Sequence, residues 1–218
     1  MKIVLFGDSI TDMCRDRNTV DKFQPFCQGK GYSLFVAADL YDKDPSCEVI
    51  NKGNGGNRIV DLYARIKADV WNLKPDVLSI LIGINDVWHK IGSDNGVDLE
   101  RFEKFYRMII EDTKKVLPNL KFILCEPFFL EGDATKNSAD FPKRYQDFCE
   151  VYEYAKTVKR LAQEYNLFFL PLQDKFNEKA KTNGAESLLY DGVHTSPAGA
   201  KLIADEWLKL FHEKIDCN

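Results

Sequence analysis

Short hydrophobic runs alternate along the chain with longer segments that repeat their apolar side chains at helical spacing. Each run is short and apolar, as expected for a strand that is buried on both faces of a sheet. The predicted strands are residues 3–6, 48–51, 77–82, 122–125 and 167–170. Between them, apolar residues three or four positions apart predict amphipathic helices at residues 59–73, 99–116 and 142–165.

The last predicted helix begins at Ser196-Pro197, a capping serine followed by a proline at the first helical position. Strands separated by helices pair in parallel through right-handed crossovers. The pattern therefore predicts an α/β fold, a three-layer α/β/α sandwich around a five-stranded parallel sheet. The length of 218 residues suits one domain, so we expect residues 1–218 to form a single domain. Residues 131–141 show the least pattern and are predicted to be a surface loop on the active-site side.

Four polar blocks lie where they can reach the carboxyl edge of this sheet, the edge at which open parallel sheets bind ligands. Three of them follow predicted strands directly, and the fourth precedes the last helix. The blocks are Gly7-Asp8-Ser9-Ile10-Thr11-Asp12, Asn51-Lys52-Gly53-Asn54-Gly55-Gly56-Asn57-Arg58, Gly83-Ile84-Asn85-Asp86 and Asp191-Gly192-Val193-His194.

Each block also has an ordinary structural interpretation. A serine in a strand-to-helix turn, such as Ser9, is most often a helix N-cap. The glycines of the second block could form a plain tight turn or a phosphate cradle, although they do not follow the G-x-G-x-x-G spacing. The third block could cap a helix, and Asp191 and His194 could be a structural hydrogen-bonded pair. No block is specific by itself.

Taken together, the blocks supply one candidate for each role in acyl transfer. The hydroxyl of Ser9 needs a neutral imidazole to remove its proton, and His194 provides one. Asp191, on the same short loop, can hold the imidazole in the required tautomer. The backbone N–H groups of Ser9 and Gly56 and the side-chain amide of Asn85 would then bind the negative oxygen of the reacting ester.

The ordered blocks resemble those of the SGNH (GDSL-type) hydrolase family, which reads GDS, N-x-G-x-x-G, G-x-N-D and D-x-x-H. The four residues that name the family and its triad acid match Ser9, Gly56, Asn85, His194 and Asp191. The resemblance implies a flavodoxin-like sheet in the order 2-1-3-4-5 and hydrolysis without a metal or other cofactor. In the second block we select Gly56 by its distance from Asn51, and Gly53 and Gly55 stay as alternatives.

Longer stretches are similar to the branch that contains bacterial acetylxylan esterases and related carbohydrate deacetylases. The similar stretches are Asn51-Lys52-Gly53, residues 83–89 and residues 191–199. This similarity implies a short acyl ester as substrate, an acetyl ester on a sugar or oligosaccharide, and a homo-oligomeric assembly. A lysophospholipase or thioesterase of the same superfamily is the alternative. A non-catalytic α/β module that binds a carbohydrate or nucleotide is an alternative from another class.

Four more residues are candidates for substrate contacts: Asp8, Trp88, His89 and Tyr190. The first three adjoin the predicted nucleophile or the oxyanion asparagine, and Tyr190 precedes the triad acid. For the aromatic residues, packing in the core is an equal alternative, and Asp8 and Asp86 are expected to fix turns through backbone hydrogen bonds. Three consecutive apolar residues have two possible roles, an acyl channel or a subunit interface, and the sequence does not decide between them. They are Phe128, Phe129 and Leu130.

Composition excludes several classes of protein. The net charge is −4 and no basic block is present, so we expect no nucleic-acid partner. The longest apolar run, residues 77–84, is far shorter than the span of about 20 residues that a bilayer requires. Acidic residues lack the clustered spacing of a metal site. Six cysteines without a C-x-x-C pair, and no cleavage-site pattern near the start, favour reduced thiols and a cytoplasmic location.

Overall fold

A parallel sheet of five strands forms the centre of the molecule in the computed structural model, which describes residues 1–216. The strands are β1 (Lys2–Gly7), β2 (Glu48–Gly53), β3 (Val77–Leu81), β4 (Lys121–Cys125) and β5 (Phe168–Leu170). Their order is β2-β1-β3-β4-β5, and all four pairings are parallel. The predicted sheet and its strand order are therefore confirmed, and the observed strand bounds differ from the predicted ones by one or two residues.

Helices pack against the sheet and against one another in two groups. The helices are α1 (Ser9–Asp12), α2 (Tyr32–Lys43), α3 (Ile59–Asp69), α4 (Ile84–Ser93), α5 (Leu99–Val116), α6 (Arg144–Phe148), α7 (Val151–Glu164), α8 (Gln173–Asn183) and α9 (Pro197–Lys214). One group pairs α2 with α9, and the other packs α3 on α5 and α5 on α7. These groups form the outer layers of the predicted sandwich.

The hydrophobic pattern of each strand matches its place in the sheet. Strand β3 is buried along its whole length, because helices cover both faces of a central parallel strand. Strand β2 lies at the edge, and its residues alternate between buried and half-buried. The one polar side chain inside β3, Ser79, is satisfied because its hydroxyl accepts a hydrogen bond from Nε1 of Trp207 in α9 at 2.9 Å.

The predicted long helix at residues 142–165 is interrupted, which corrects the sequence-based expectation. Helix α6 ends at Phe148, and α7 begins at Val151. Cys149 and Glu150 keep right-handed helical dihedral angles, but the chain tightens here into hydrogen bonds between residues three apart, including Tyr152 N–H to the carbonyl of Cys149. Tighter turns of this kind are common at helix ends.

The Phe128-Phe129-Leu130 segment lies in the hydrophobic core. The three side chains are 0%, 1% and 7% exposed. Phe128 stacks on Phe176 with ring centroids 4.3 Å apart, and Phe129 packs beside Phe148 at 5.7 Å. The segment therefore forms neither an open acyl channel nor an exposed interface, which resolves the two alternatives left open above.

Among residues 1–216, no helix has both the length and the apolar character that crossing a membrane would require.

The cysteines in the same part of the chain are free thiols, as expected. They are Cys14, Cys27, Cys47, Cys125 and Cys149. Cys217 lies outside the described residues.

Candidate active site

Ser9 is the first residue of α1, immediately beyond the end of β1. The N-cap of α1 is Asp8, whose carboxylate accepts a hydrogen bond from the backbone N–H of Ile10 at 2.9 Å. The interpretation of Ser9 as a capping serine is therefore wrong, because the residue before it caps the helix. The hydroxyl of Ser9 is instead free to interact with the opposite loop.

The backbone of α1 packs directly on the end of β2. A Cβ added to Gly53 would lie only 2.2 Å from the backbone nitrogen of Asp12, so this position accepts no side chain. Gly53 is also the residue that pairs with Gly7 at the end of β1. The close approach places the turn that carries Ser9 against the carboxyl ends of two neighbouring strands.

The side chain of Asn51 ties the same turn to β2. Its amide nitrogen donates to the carbonyls of Thr11 at 2.6 Å and Gln28 at 2.9 Å, and its amide oxygen accepts from the backbone N–H of Gly53 at 2.8 Å. Asn51 is buried, so these bonds satisfy polar groups that have no access to water. The sequence analysis placed Asn51 in a motif but did not predict that its side chain would hold the turn against β2.

A short loop before α9 brings His194 to Ser9. The Nε2 atom of His194 lies 2.9 Å from Oγ of Ser9, and its Nδ1 atom lies 2.6 Å from Oδ2 of Asp191. The other oxygen of Asp191 accepts backbone N–H bonds from Val193 at 2.9 Å and His194 at 2.7 Å. The carboxylate thus orients both the imidazole and the loop that carries it.

Residues 130–134 brace this loop through the backbone. The N–H of Leu130 donates to the carbonyl of Gly192 at 2.8 Å, and the N–H of Ala134 donates to the carbonyl of Asp191 at 2.8 Å. Residues 131–141 contain no helix or strand, as predicted. Their bracing role was missed, because bonds between backbone groups leave no side-chain signal in the sequence.

The hydrogen bonds between Asp191 and His194 shift both pKa values toward the charged pair. Burial opposes ionisation of Asp191, but the bonds from the His194 side chain and backbone outweigh it and lower the pKa of this carboxyl. The hydrogen bond from Asp191 raises the pKa of His194, although burial of the imidazole partly opposes the shift. The imidazole is therefore well suited to take a proton from Ser9.

Gly56 has the only unbound N–H among the three glycines of the second block. The N–H of Gly53 donates to Asn51, and that of Gly55 donates to Oδ2 of Asp12 at 3.3 Å. No group in residues 1–216 accepts a hydrogen bond from the N–H of Gly56, whose φ of +78° is in the left-handed region. This geometry favours Gly56 over the two alternatives.

A cavity of about 310 Å³ brings most of the predicted site residues together. It is lined by Ser9, Gly56, Asn85, Trp88, His89, Gly92, Ser93 and His194. The side-chain amide of Asn85 donates one N–H to the carbonyl of Asn57 at 3.1 Å, which leaves its second N–H unused. The arrangement places a hydroxyl, a base and unbound N–H donors around one space.

Two aromatic side chains contact the imidazole of His194. The ring of Tyr190 stacks on it at 5.8 Å between centroids and with an interplanar angle of 17°, and Tyr190 is 58% exposed. Trp88 is half-buried, with its ring centroid 5.9 Å from that of His194, and it also packs against Phe148. Trp88 lines the cavity, whereas Tyr190 lies outside its lining.

Asp8 and Asp86 lie beneath the site rather than in it. Asp8 was predicted to contact the substrate, but it is completely buried and does not line the cavity. The structure therefore corrects this prediction. Asp86 accepts the backbone N–H of Ile59 at the start of α3 at 3.1 Å. Burial raises the pKa of Asp8 to about 7 and that of Asp86 to about 8. Both carboxyls fix turns, as expected.

In the part of the chain that the structure describes, no three or more His, Cys, Asp or Glu side chains are grouped as a metal ion would require.

The chain is similar to known proteins along nearly its whole length. The family described as GDSL-like lipase/acylhydrolase matches residues 3–207. An acetylxylan esterase from Geobacillus stearothermophilus is 36% identical over 215 residues, which cover 95% of this chain and 92% of the relative. The crystal structure of an acetylxylan esterase from the same organism superposes with a TM-score of 0.81 at 34% identity, covering 95% and 92% of the two chains. A GDSL-like lipase structure from Parabacteroides merdae has a TM-score of 0.85 at 34% identity, covering 95% and 94%.

The buried carboxyl of Asp86 makes stability depend on pH. Because its folded pKa is raised, the folded chain keeps a proton between pH 4 and 8 that the unfolded chain has lost, so stability falls as pH rises through this window. Each such proton changes the free energy of unfolding by about 1.4 kcal/mol per pH unit. We expect Asp86→Asn, which keeps an oxygen acceptor for Ile59, to lose less stability than the wild type between pH 5 and pH 8.

Urea denaturation at the two pH values measures the difference. Asp140→Asn, which alters an exposed carboxylate, is the matched control and should follow the wild type. Parallel pH curves for the wild type and Asp86→Asn would contradict the assignment.

Proposed function

Because the chain belongs to the GDSL-like lipase/acylhydrolase family, we propose that it is a serine esterase that removes acetyl and other short acyl groups from carbohydrate esters. The family makes the chain a carboxylic ester hydrolase that acts on acyl esters. The observation that best supports a serine mechanism is the line of hydrogen bonds from Asp191 through His194 to Ser9, at 2.6 and 2.9 Å.

In the first step, Oγ of Ser9 attacks the ester carbonyl while Nε2 of His194 takes the hydroxyl proton. The carbonyl oxygen becomes negative and is bound by the N–H groups of Ser9 and Gly56 and the side-chain amide of Asn85. The protonated imidazole then gives its proton to the alcohol oxygen as the ester bond breaks. The alcohol leaves, and the acyl group stays on Ser9.

In the second step, water attacks the acyl group and gives one proton to Nε2 of His194. The same N–H donors hold the negative oxygen again, and the imidazole returns the proton to Oγ of Ser9 as the acid is released. Asp191 keeps its charge throughout and stabilises the imidazolium. Each oxyanion donor contributes roughly 2.7–4 kcal/mol of transition-state stabilisation in comparable enzymes.

The shape of the site favours a short acyl group. A long acyl chain needs an apolar channel, and the apolar segment that could have formed one, residues 128–130, is buried in the core. The cavity of about 310 Å³ instead combines polar groups with one aromatic side chain, Trp88, a lining that suits a small acyl group joined to a sugar. The similarity to acetylxylan esterases supports the same choice.

Location and assembly are further parts of this proposal. The free thiols of the described cysteines support a cytoplasmic location. Three exposed apolar side chains support self-association: Val20, Phe23 and Phe26, which are 96%, 61% and 64% exposed.

Removing the hydroxyl of Ser9 tests the mechanism. We expect Ser9→Ala to lower kcat by at least about 10³-fold, because no other group in the mechanism forms the acyl intermediate. A serine-directed organophosphonate should add its mass to Ser9 of the wild type and leave the variant unlabelled. Ser46→Ala, which changes an exposed serine, is the control and should keep both activity and labelling. Full activity in Ser9→Ala would overturn the role of Ser9 as the nucleophile. A wild type that shows neither activity nor labelling would favour a non-catalytic binding module.

Acyl-chain length tests the substrate class. With p-nitrophenyl esters, we expect kcat/KM to fall by roughly tenfold or more between the acetyl and octanoyl esters, because the longer chain finds no apolar channel. An acetylated xylooligosaccharide should also be hydrolysed, with Ser9→Ala as the blank. A rise in kcat/KM toward long chains would instead indicate a lysophospholipase or thioesterase.

A pair of glycine variants tests the oxyanion donor. The backbone of Gly56 is in the left-handed region, so alanine there would twist the peptide and displace its N–H. We expect Gly56→Ala to lower kcat by about 10²-fold or more. Gly55→Ala should lose far less, because its added Cβ would make only ordinary contacts at 3.9 Å. Equal losses in two variants that melt at the same temperature would argue against Gly56.

A further inference from the structure

The reaction steps leave one titratable side chain of the cavity unused, His89. Helix α4 places it four residues after Asn85, which puts both on one face of the helix. Its Cε1 and Nε2 atoms are 3.9 and 4.0 Å from the point where a Cβ on Gly56 would lie. The imidazole of His89 therefore lies beside the proposed oxyanion donors, in the same cavity as Ser9 and His194.

The ring of His89 has no hydrogen-bond partner among residues 1–216, unlike the other two histidines. His194 bonds to Asp191 and Ser9, and the ring of His212 bonds to surface side chains. The hydrogen bonds of His89 involve its backbone, whose carbonyl accepts from neighbouring residues in and after α4. Its ring nitrogens are thus available to a bound molecule.

The His89 ring is suited to bind a hydroxyl group. Burial lowers the pKa of His89, and the nearby positive charge of Arg58 adds to this effect. A neutral imidazole has one N–H donor and one acceptor nitrogen, and a hydroxyl likewise donates and accepts. Asp61 is the carboxylate near this ring, but it is hydrogen-bonded to Arg58, so it does not hold the imidazole as Asp191 holds His194.

Space for a bulky group lies one turn further along α4. A Cβ added to Gly92 would have no atom within 4 Å, and Gly92 lines the same cavity. A ring attached to the ester oxygen could therefore extend past His89 along this helix.

We propose that His89 is a specificity-determining residue that hydrogen-bonds a hydroxyl of the alcohol half of the ester. It would thereby select esters of polyols, such as sugars, over esters whose alcohol has no second hydroxyl. This inference rests on the proposed esterase function and extends it to the group that recognises the alcohol.

Two acetate esters distinguish recognition of the alcohol by His89 from an effect of His89 on the hydrolysis of every ester. p-Nitrophenyl acetate has an alcohol half without a hydroxyl, whereas a monoacetylated methyl xyloside has hydroxyls beside the ester. We expect His89→Leu to lower kcat/KM for the xyloside acetate by about tenfold, mainly through KM, and to change kcat/KM for p-nitrophenyl acetate by less than about threefold. His89→Gln, whose amide both donates and accepts, should restore part of the loss.

The control is His212→Gln, which changes a histidine outside the cavity and should affect neither ester. Equal losses on both esters in His89→Leu, or no loss on the xyloside acetate, would overturn the proposal. Thermal melting shows whether the variants are folded, and His89→Ala, which also removes both ring nitrogens, provides the test if His89→Leu is not. A wild type that cleaves p-nitrophenyl acetate but not the xyloside acetate would overturn the role of His89 alone. A wild type that cleaves neither would overturn the esterase function as well.

Discussion

The backbone of α1 packs against the end of β2 with no side chain between them, and the geometry of the whole site depends on this contact. Gly53 makes it possible, and Asn51 secures it with three hydrogen bonds. The position of Ser9 is consequently set by the sheet, and groups held by strands and helices are placed more precisely than groups on loops. Groups held in this way need little rearrangement when charge develops on the substrate.

The half of the site that contains His194 is held in place by hydrogen bonds within and behind a loop. His194 lies on a loop, and loops are usually the more mobile parts of a protein. Here Asp191 folds the loop around its own carboxylate, and the backbone of residues 130–134 holds it from behind. A rigid turn and a braced loop thus meet at a distance of 2.9 Å between Ser9 and His194, and the cavity opens beside them.

The sequence allowed the sheet to be predicted from local patterns. The convergence of the site was predicted from the rule that open parallel sheets bind ligands at their carboxyl edge, and from the family resemblance. Buried strands appear as apolar runs, and a pair three residues apart, such as Asp191 and His194, must be close in space. The strand order came only from the family resemblance. The break between α6 and α7 was missed because neither glycine nor proline marks it. Burial of Phe128 to Leu130, like that of Asp8, depends on long-range packing that hydrophobicity alone does not reveal.

The distance along the chain between Ser9 and His194 has a consequence for folding. Ser9 lies just after the first strand, whereas His194 lies 185 residues further along, just before α9, which docks on α2. Contacts between residues so far apart are slow to form, because closing the long intervening loop costs entropy. A half-folded chain in which α9 has not yet docked therefore does not hold the His194 imidazole against the Ser9 hydroxyl.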